Sequence, residues 1–185
     1  MKKPDWRVWL RSKSECRKWY DYYRKNSMLK KTTFKPENYM KKATHNIDFS
    51  NWVLAKHKDE IPTVFGDQKF YDWVIVGYYY TVYHASLALI ASKGLESKSH
   101  FATLSAIILL FCHEKKISKE DVEIVAESIG TTITKDDIEI IIDSKSLRER
   151  ASYNIGYEFD EALVKRAQSN AVKSMQKVRS VLDAQ

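Results

Sequence analysis

Two stretches of this chain carry side chains that a helical core does not need. The first holds Tyr78, Tyr79, Tyr80, Tyr83 and His84, then Lys93-Gly94-Leu95 and Lys98-Ser99-His100. The second lies farther along: Leu147-Arg148-Glu149-Arg150-Ala151-Ser152-Tyr153-Asn154. A buried hydroxyl, imidazole or guanidinium must find a partner or cost free energy. The residue types also suit a chemistry. Imidazole moves protons near neutral pH. Guanidinium grips phosphate or carboxylate in a bidentate fork. Tyrosine rings stack on unpaired bases.

Each residue keeps a structural reading beside the functional one. His84 sits one helical turn after Tyr80, so it is either a core histidine bonded to a tyrosine or carbonyl, or a cleft or interface group. His100 falls where a helix should begin and either caps that helix or belongs to a site. The tyrosines either pack with their hydroxyls at the rim or offer a stacking surface or dimer seam. Arg148 is a phosphate or partner ligand, or it complements the carbonyls ending its own helix. Arg150 reads as a solvated charge or as a further binding group.

The elements that must position these groups are helical. Gly numbers 5 and Pro 3 in 185 residues, too few for a turn-rich β fold. Helices are expected over Pro4–Lys25, Pro36–Lys58, Lys69–Ser92, Phe101–Glu114, Ser118–Ser128, Thr134–Tyr153 and Asp160–Leu182. Gly94 is the expected left-handed residue after the third. Lys30–Pro36 is a connector, Asp59–Gln68 a loop, and Asn154-Ile155-Gly156 a stop. No strand is expected. The fold class is all-α, an up-and-down bundle of four to five helices with an extra N-terminal helix. The division is a basic aromatic extension over 1–35 and a bundle over 36–185.

Charge is uneven. Residues 1–42 carry fourteen Lys/Arg against four acids, a balance of +10. The whole chain sums to +7, which leaves −3 for residues 43–185. Trp6, Trp9, Trp19, Tyr20, Tyr22 and Tyr23 interleave with those cations. Such a segment either contacts phosphates and stacks on bases, or packs its aromatics on the bundle with its charges solvated. A membrane-surface helix is the third reading.

Trp73–Ser92 has no charged residue and about the length of a membrane span, but its four Tyr, Thr, His and two Ser favour a covered central helix. No apolar run follows the basic start, so a cytoplasmic protein is expected. Cys16 and Cys112 read as separate reduced thiols. His45, His57 and His113 do not cluster, and no zinc spacing, phosphate-cradling glycine motif or nucleophile elbow is present. No metal and no cofactor is expected.

The two stretches together resemble the HEPN superfamily, and within it the small prokaryotic UPF0332-type group. Its pattern runs Tyr-Tyr-x-x-Phe/Tyr-His/Tyr-Ala-x-x-Ala-Leu-Leu, then Lys-Gly-Leu, then Lys-Thr-His, and later Arg-x-x-Ala-Asp-Tyr. Tyr79, Tyr80, Tyr83, His84, Ala85, Ala88, Leu89 and Ile90 fill the first part. Lys93-Gly94-Leu95 and Lys98-Ser99-His100 fill the next two. Arg148, Ala151 and Tyr153 fill the last, with Ser152 where Asp is usual. The resemblance spans residues 38 to 183.

The resemblance implies a dimerising helical bundle that binds RNA or a nucleotide at a dimer cleft. It implies the toxin or RNase-like half of a pair whose other half is a minimal nucleotidyltransferase. Nuclease members use an Arg followed, four to six residues on, by a His, for metal-independent RNA cleavage. The arginine holds the scissile phosphate and the histidine moves the proton. Here the positions counted from Arg148 hold Tyr153, Asn154 and Ile155, and those from Arg150 hold Ile155, Gly156 and Tyr157. None is His. Arg148, Tyr153 and Asn154 stand as the catalytic candidates, and Tyr80, His84, His100 and Arg150 as the binding ones. The alternative is a non-catalytic module that docks a nucleotidyltransferase through the same cleft.

Overall fold

A computed structural model describes residues 4–128 and 160–184 of the chain. The helix expected over Thr134–Tyr153 and its stop lie outside them. The fold is an all-α bundle.

Helices α1 (Trp6–Arg11) and α2 (Lys13–Lys25) replace the single helix expected over Pro4–Lys25. Ser12 is the cause. Its backbone is extended, at φ −130° and ψ 102°, and its hydroxyl accepts from the Glu15 N–H at 3.3 Å. It ends one helix and caps the next, in a Ser-x-x-Glu start. Past α2, Ser27 is left-handed at φ 57°, and the Met28 N–H closes on the Tyr23 carbonyl. That closure turns the chain into a strand.

The strand is β1 (Leu29–Lys31), antiparallel to β2 (Leu95–Ser97), with Lys30 opposite Glu96. The sequence reading expects neither. Three residues are too few for alternation to register. Helix α3 (Pro36–Lys56) follows, and a short α4 (Glu60–Phe65) occupies the expected loop, capped by the Asp59 carboxylate. His57 joins α3 to the start of the next helix. The Val53 carbonyl can only accept, so Nδ1 donates to it at 2.9 Å, and Nε2 accepts the Phe70 N–H at 3.0 Å.

Helix α5 (Tyr71–Ala91) is the centre. Around it pack α3, α6 (His100–Ile107), α7 (Lys119–Ser128) and α8 (Glu161–Asp183). Among the described residues α5 is the one helix long and apolar enough to cross a membrane, and 61% of its most apolar window is buried within the bundle. Its polar groups are absorbed locally: Thr81 and Ser86 donate to the Gly77 and Val82 carbonyls. The fully buried Tyr78 donates to Asn51 Oδ1 at 2.6 Å, and Gln168 of α8 donates to the same oxygen at 2.8 Å.

Two details decide where the candidate residues go. Gly94 is left-handed at φ 68° and ends the α5 region, as expected. β2 then runs back along the bundle, so that α6 opens beside Tyr79 and Tyr83. At its far end α6 passes into a π turn, Ile108–Cys112, with the His113 N–H bonded to the Ile108 carbonyl at 2.9 Å.

The N-terminal pair of helices docks on that α6 face. Trp9 is 1% exposed and packs edge-on to Phe101 at 6.2 Å. Its carbonyl meets His113 Nε2 at 2.9 Å. Cys16 donates to the Ser105 carbonyl at 3.4 Å, and burial pushes its thiol up to about 12. Trp6, Trp9, Tyr23 and Leu29 share one hydrophobic core with α5 and α6.

Helix α3 approaches α5 closely at Gly77. A β-carbon there would overlap the Ser50 hydroxyl, whose oxygen is buried and has no partner. Gly77→Ala should destabilise by about 1–3 kcal/mol through overpacking. Adding Ser50→Ala removes the clash and the orphaned hydroxyl together, so the double variant should melt near the parent protein. A double-mutant cycle by thermal unfolding checks this, and additive losses would contradict it.

Candidate functional site

The middle of α5 presents Tyr79, Tyr80, Tyr83 and His84 within little more than one turn, and the backward run of β2 delivers His100 to them. Tyr79 O–H and His100 Nε2 are 3.1 Å apart. The Tyr83 ring meets the His100 ring edge-on at 4.8 Å. Tyr79 and Tyr83 stack with planes 2° apart and centroids 6.2 Å apart. Tyr80 lies between Tyr79, at 4.8 Å, and His84, at 6.0 Å. Of the sequence candidates, Tyr80, His84 and His100 therefore belong to one cluster. Arg148, Arg150, Tyr153 and Asn154 lie outside the described residues.

Proton positions follow from the partners. His84 Nδ1 is 2.8 Å from the Tyr80 carbonyl and 3.1 Å from the Asn46 amide. A carbonyl only accepts, so Nδ1 carries the proton and donates it to Tyr80, which leaves the Asn46 amide nitrogen a close neighbour of that atom and not its donor. Nε2 is then the lone-pair nitrogen. Burial holds His84 below the usual histidine range, the Tyr80 bond opposes this, and nearby Lys42 lowers it further. Burial alone lowers His100. Its Nδ1 is buried without a partner. Burial pushes the Tyr79 and Tyr83 hydroxyls above their ordinary value, and Tyr83 also bonds Thr103. Both phenols stay protonated near neutral pH.

The cluster is thus a neutral set of two imidazoles and three phenols, walled by aromatic rings, with Lys42 alongside. It can stack a flat ring, and it offers an imidazole nitrogen to accept a proton or hydrogen bond. An orphaned buried nitrogen such as His100 Nδ1 asks for an explanation that packing does not give.

Sequence reasoning does not reach Asn46 or Thr103 as members of this site. Asn46 had a signal: it stands seven residues after Tyr39 on the same face of α3, the face that meets α5. Tyr39 bonds Thr32 and is itself raised by burial and Glu96. The N-terminal aromatics divide. Trp6, Trp9 and Tyr23 are core, whereas Tyr22 is 37% exposed. Among the described residues, no group of three or more His, Cys, Asp or Glu is placed to hold a metal ion.

The two lowered histidines fix a pH dependence. Unfolded, each titrates near the ordinary 6.5; folded, each titrates lower. The unfolded chain binds more protons below that value, so stability is full above about pH 6.5 and falls as the pH drops toward the folded values. Glu114, Glu120 and Glu161 are shifted below their ordinary 4.5 and add their loss only at lower pH. Melting temperatures should decline from about pH 6.5 to 5. His84→Gln combined with His100→Gln should flatten that decline, and an unchanged slope would count against it.

No protein-family model matches the chain, and comparison with curated proteins gives no match.

Proposed function

We propose that this is a HEPN-type bundle that binds RNA or a nucleotide at the Tyr–His cluster. It acts in the cytoplasm as a homodimer, with a minimal nucleotidyltransferase as partner and no membrane role. The observation that carries the reading is the meeting of Tyr80, His84 and His100 among stacked tyrosines, with a buried nitrogen of His100 left without a partner. Base-stacking walls and hydrogen-bonding groups on one surface suit an unpaired nucleotide. Arg148, with Tyr153 and Asn154, supplies the phosphate contacts in this reading, and Arg150 adds a further binding charge. Because no His follows Arg148 at the motif spacing, binding is the expected activity and cleavage the test.

Labelled single-stranded RNA, incubated with the protein in EDTA, separates binding from metal-independent cleavage. Arg148→Ala should lose binding while costing under about 1 kcal/mol of stability. A buried structural arginine would instead strand its carboxylate and cost roughly 3–5 kcal/mol. Binding that survives in such a destabilised variant would remove Arg148 from the site.

A second reading, a non-catalytic module docking a partner protein, has its own support. Phe49 and Trp52 stack on the outside of α3, 51% and 57% exposed, and Val64, Phe65 and Trp73 are half exposed or more. Apolar surface of that kind marks interaction sites.

A further inference from the structure

Helix α3 lays a stripe of side chains along the Tyr–His cluster. Lys42, Asn46 and Phe49 recur at i, i+4 and i+7, one face of the helix. The Asn46 amide comes within 3.1 Å of His84 Nδ1, which sets that face against the cluster. The opposite side of α3 is fixed by Asn51, which takes hydrogen bonds from Tyr78 and from Gln168 of α8. Phe49 stands two residues earlier, about 200° round the helix, so it turns away from α8 and shares the cluster's side.

Each end of the stripe carries an aromatic pair that the fold leaves in solvent. Past Asn46, Phe49 and Trp52 stack with centroids 6.5 Å apart and planes 29° apart, and both rings are more than half exposed. At the other end Tyr39 lies three residues before Lys42 and meets Phe34 edge-on at 6.3 Å, with Phe34 60% exposed. Charge follows the same line. Residues 30–42 hold five lysines against Glu37 alone. Lys42 is exposed and enters none of the ion pairs found among the described residues. Near Trp52 the cation Lys56 is paired with Glu60, so positive charge gathers toward Phe34.

Aromatic faces spaced along a cationic line hold a single nucleic-acid strand: the rings take bases in turn and the ammonium groups meet phosphates. The cores of protein–protein interfaces are depleted of lysine, whereas Lys42 sits between the two aromatic pairs. Tyr39 and Phe49 are ten residues apart, about 15 Å of helix rise. A stacked strand advances about 3.4 Å per nucleotide, so about five nucleotides join the two pairs. A mononucleotide reaches only one of them. We infer that this face of α3 extends the Tyr–His cluster into a track for a single RNA strand, with Phe34–Tyr39 and Phe49–Trp52 as stacking platforms at its ends and Lys42 as a phosphate contact between them. The inference rests on the reading that a base sits at the cluster, and adds that the ligand is a strand and not a mononucleotide.

The test titrates the full chain with AMP and with labelled single-stranded RNAs of about three, six and twelve nucleotides, lengths that bracket the span. Affinity should rise about tenfold or more from three to six nucleotides and then level off. Trp52→Ala should weaken the six-nucleotide RNA about five- to 150-fold and leave AMP unchanged. Trp52→Phe keeps a stacking face and should bind within about threefold of the parent. Lys42→Gln should flatten the salt slope for RNA by about 0.7, the loss of one phosphate contact. Equal affinity for AMP and every RNA, or a Trp52→Ala variant that binds the six-nucleotide RNA as the parent does, would overturn the track. So would a Trp52→Ala variant whose one change is a lower particle mass by light scattering, which would make the aromatic pair a seam between protein chains. The track and the cluster fail differently. Length dependence that survives Tyr80→Ala keeps the track and removes the cluster. AMP binding that needs Tyr80, with no gain from length, keeps the cluster and removes the track. No binding of any probe removes both.

Discussion

Trp9→Ala should cost about 3–5 kcal/mol of folding stability, the range for truncating a large aromatic in a close-packed core. Trp9 is 1% exposed and sits among Trp19, Tyr23 and Phe101, with ring centres 5.8 to 6.4 Å away. Its removal leaves a cavity between α1, α2 and α6. Chemical denaturation of the full chain checks it. A loss under about 1 kcal/mol, the range of surface substitutions and their near neighbours, would mean that α1 and α2 are a loosely attached appendage. The same packing governs how the basic segment can be studied. Deleting residues 1–42 would uncover the core that Trp6, Trp9, Tyr23 and Leu29 complete, so its charges are better changed one at a time.

The second large effect is expected on binding. Tyr80 is half-buried, and its ring lies between Tyr79 and His84. Tyr80→Ala should weaken RNA binding by about 1–3 kcal/mol, roughly five- to 150-fold, if the ring stacks on a base. Stability should fall by roughly 1 kcal/mol or less, because part of the ring is already in solvent. Fluorescence anisotropy with labelled RNA and a parallel thermal melt give both numbers. Equal affinity in the variant would remove Tyr80 from the binding surface. Tyr78 is the control: it is fully buried and bonded to Asn51, and it can act only through the fold.

Much of the bundle was legible because helices announce themselves locally. Ser118 and Asp121 exchange the two expected bonds at the start of α7. Asp160 caps α8 through the Leu163 N–H. Gly94 takes the left-handed turn its position requires. The misses have equally local causes. The Ser12 break hides because the aromatic spacing continues through it. α4 hides in a Pro- and Gly-containing stretch that reads as loop, and the β1–β2 pair is too short to alternate. The π turn is invisible because an apolar run keeps no record of one extra residue in a turn.

The site was half legible for a different reason. The step from Tyr80 to His84 is one helical turn and can be read from spacing alone. The arrival of His100 depends on β2 reversing the chain, which is a tertiary event. The contact of His84 with Asn46 depends on the close approach of α3 that Gly77 permits. The Arg148 motif stood out by residue type.

The most direct test of the Tyr–His cluster follows the histidine imidazole signals by NMR as single-stranded RNA is added to the isotope-labelled protein. His84 and His100 should shift in step and saturate together, and Nδ1 of His100 should gain a partner. His57, locked between Val53 and Phe70, and His113, bonded to the Trp9 carbonyl, should stay still. RNA that binds without moving His84 and His100, or no binding at all, would contradict the account.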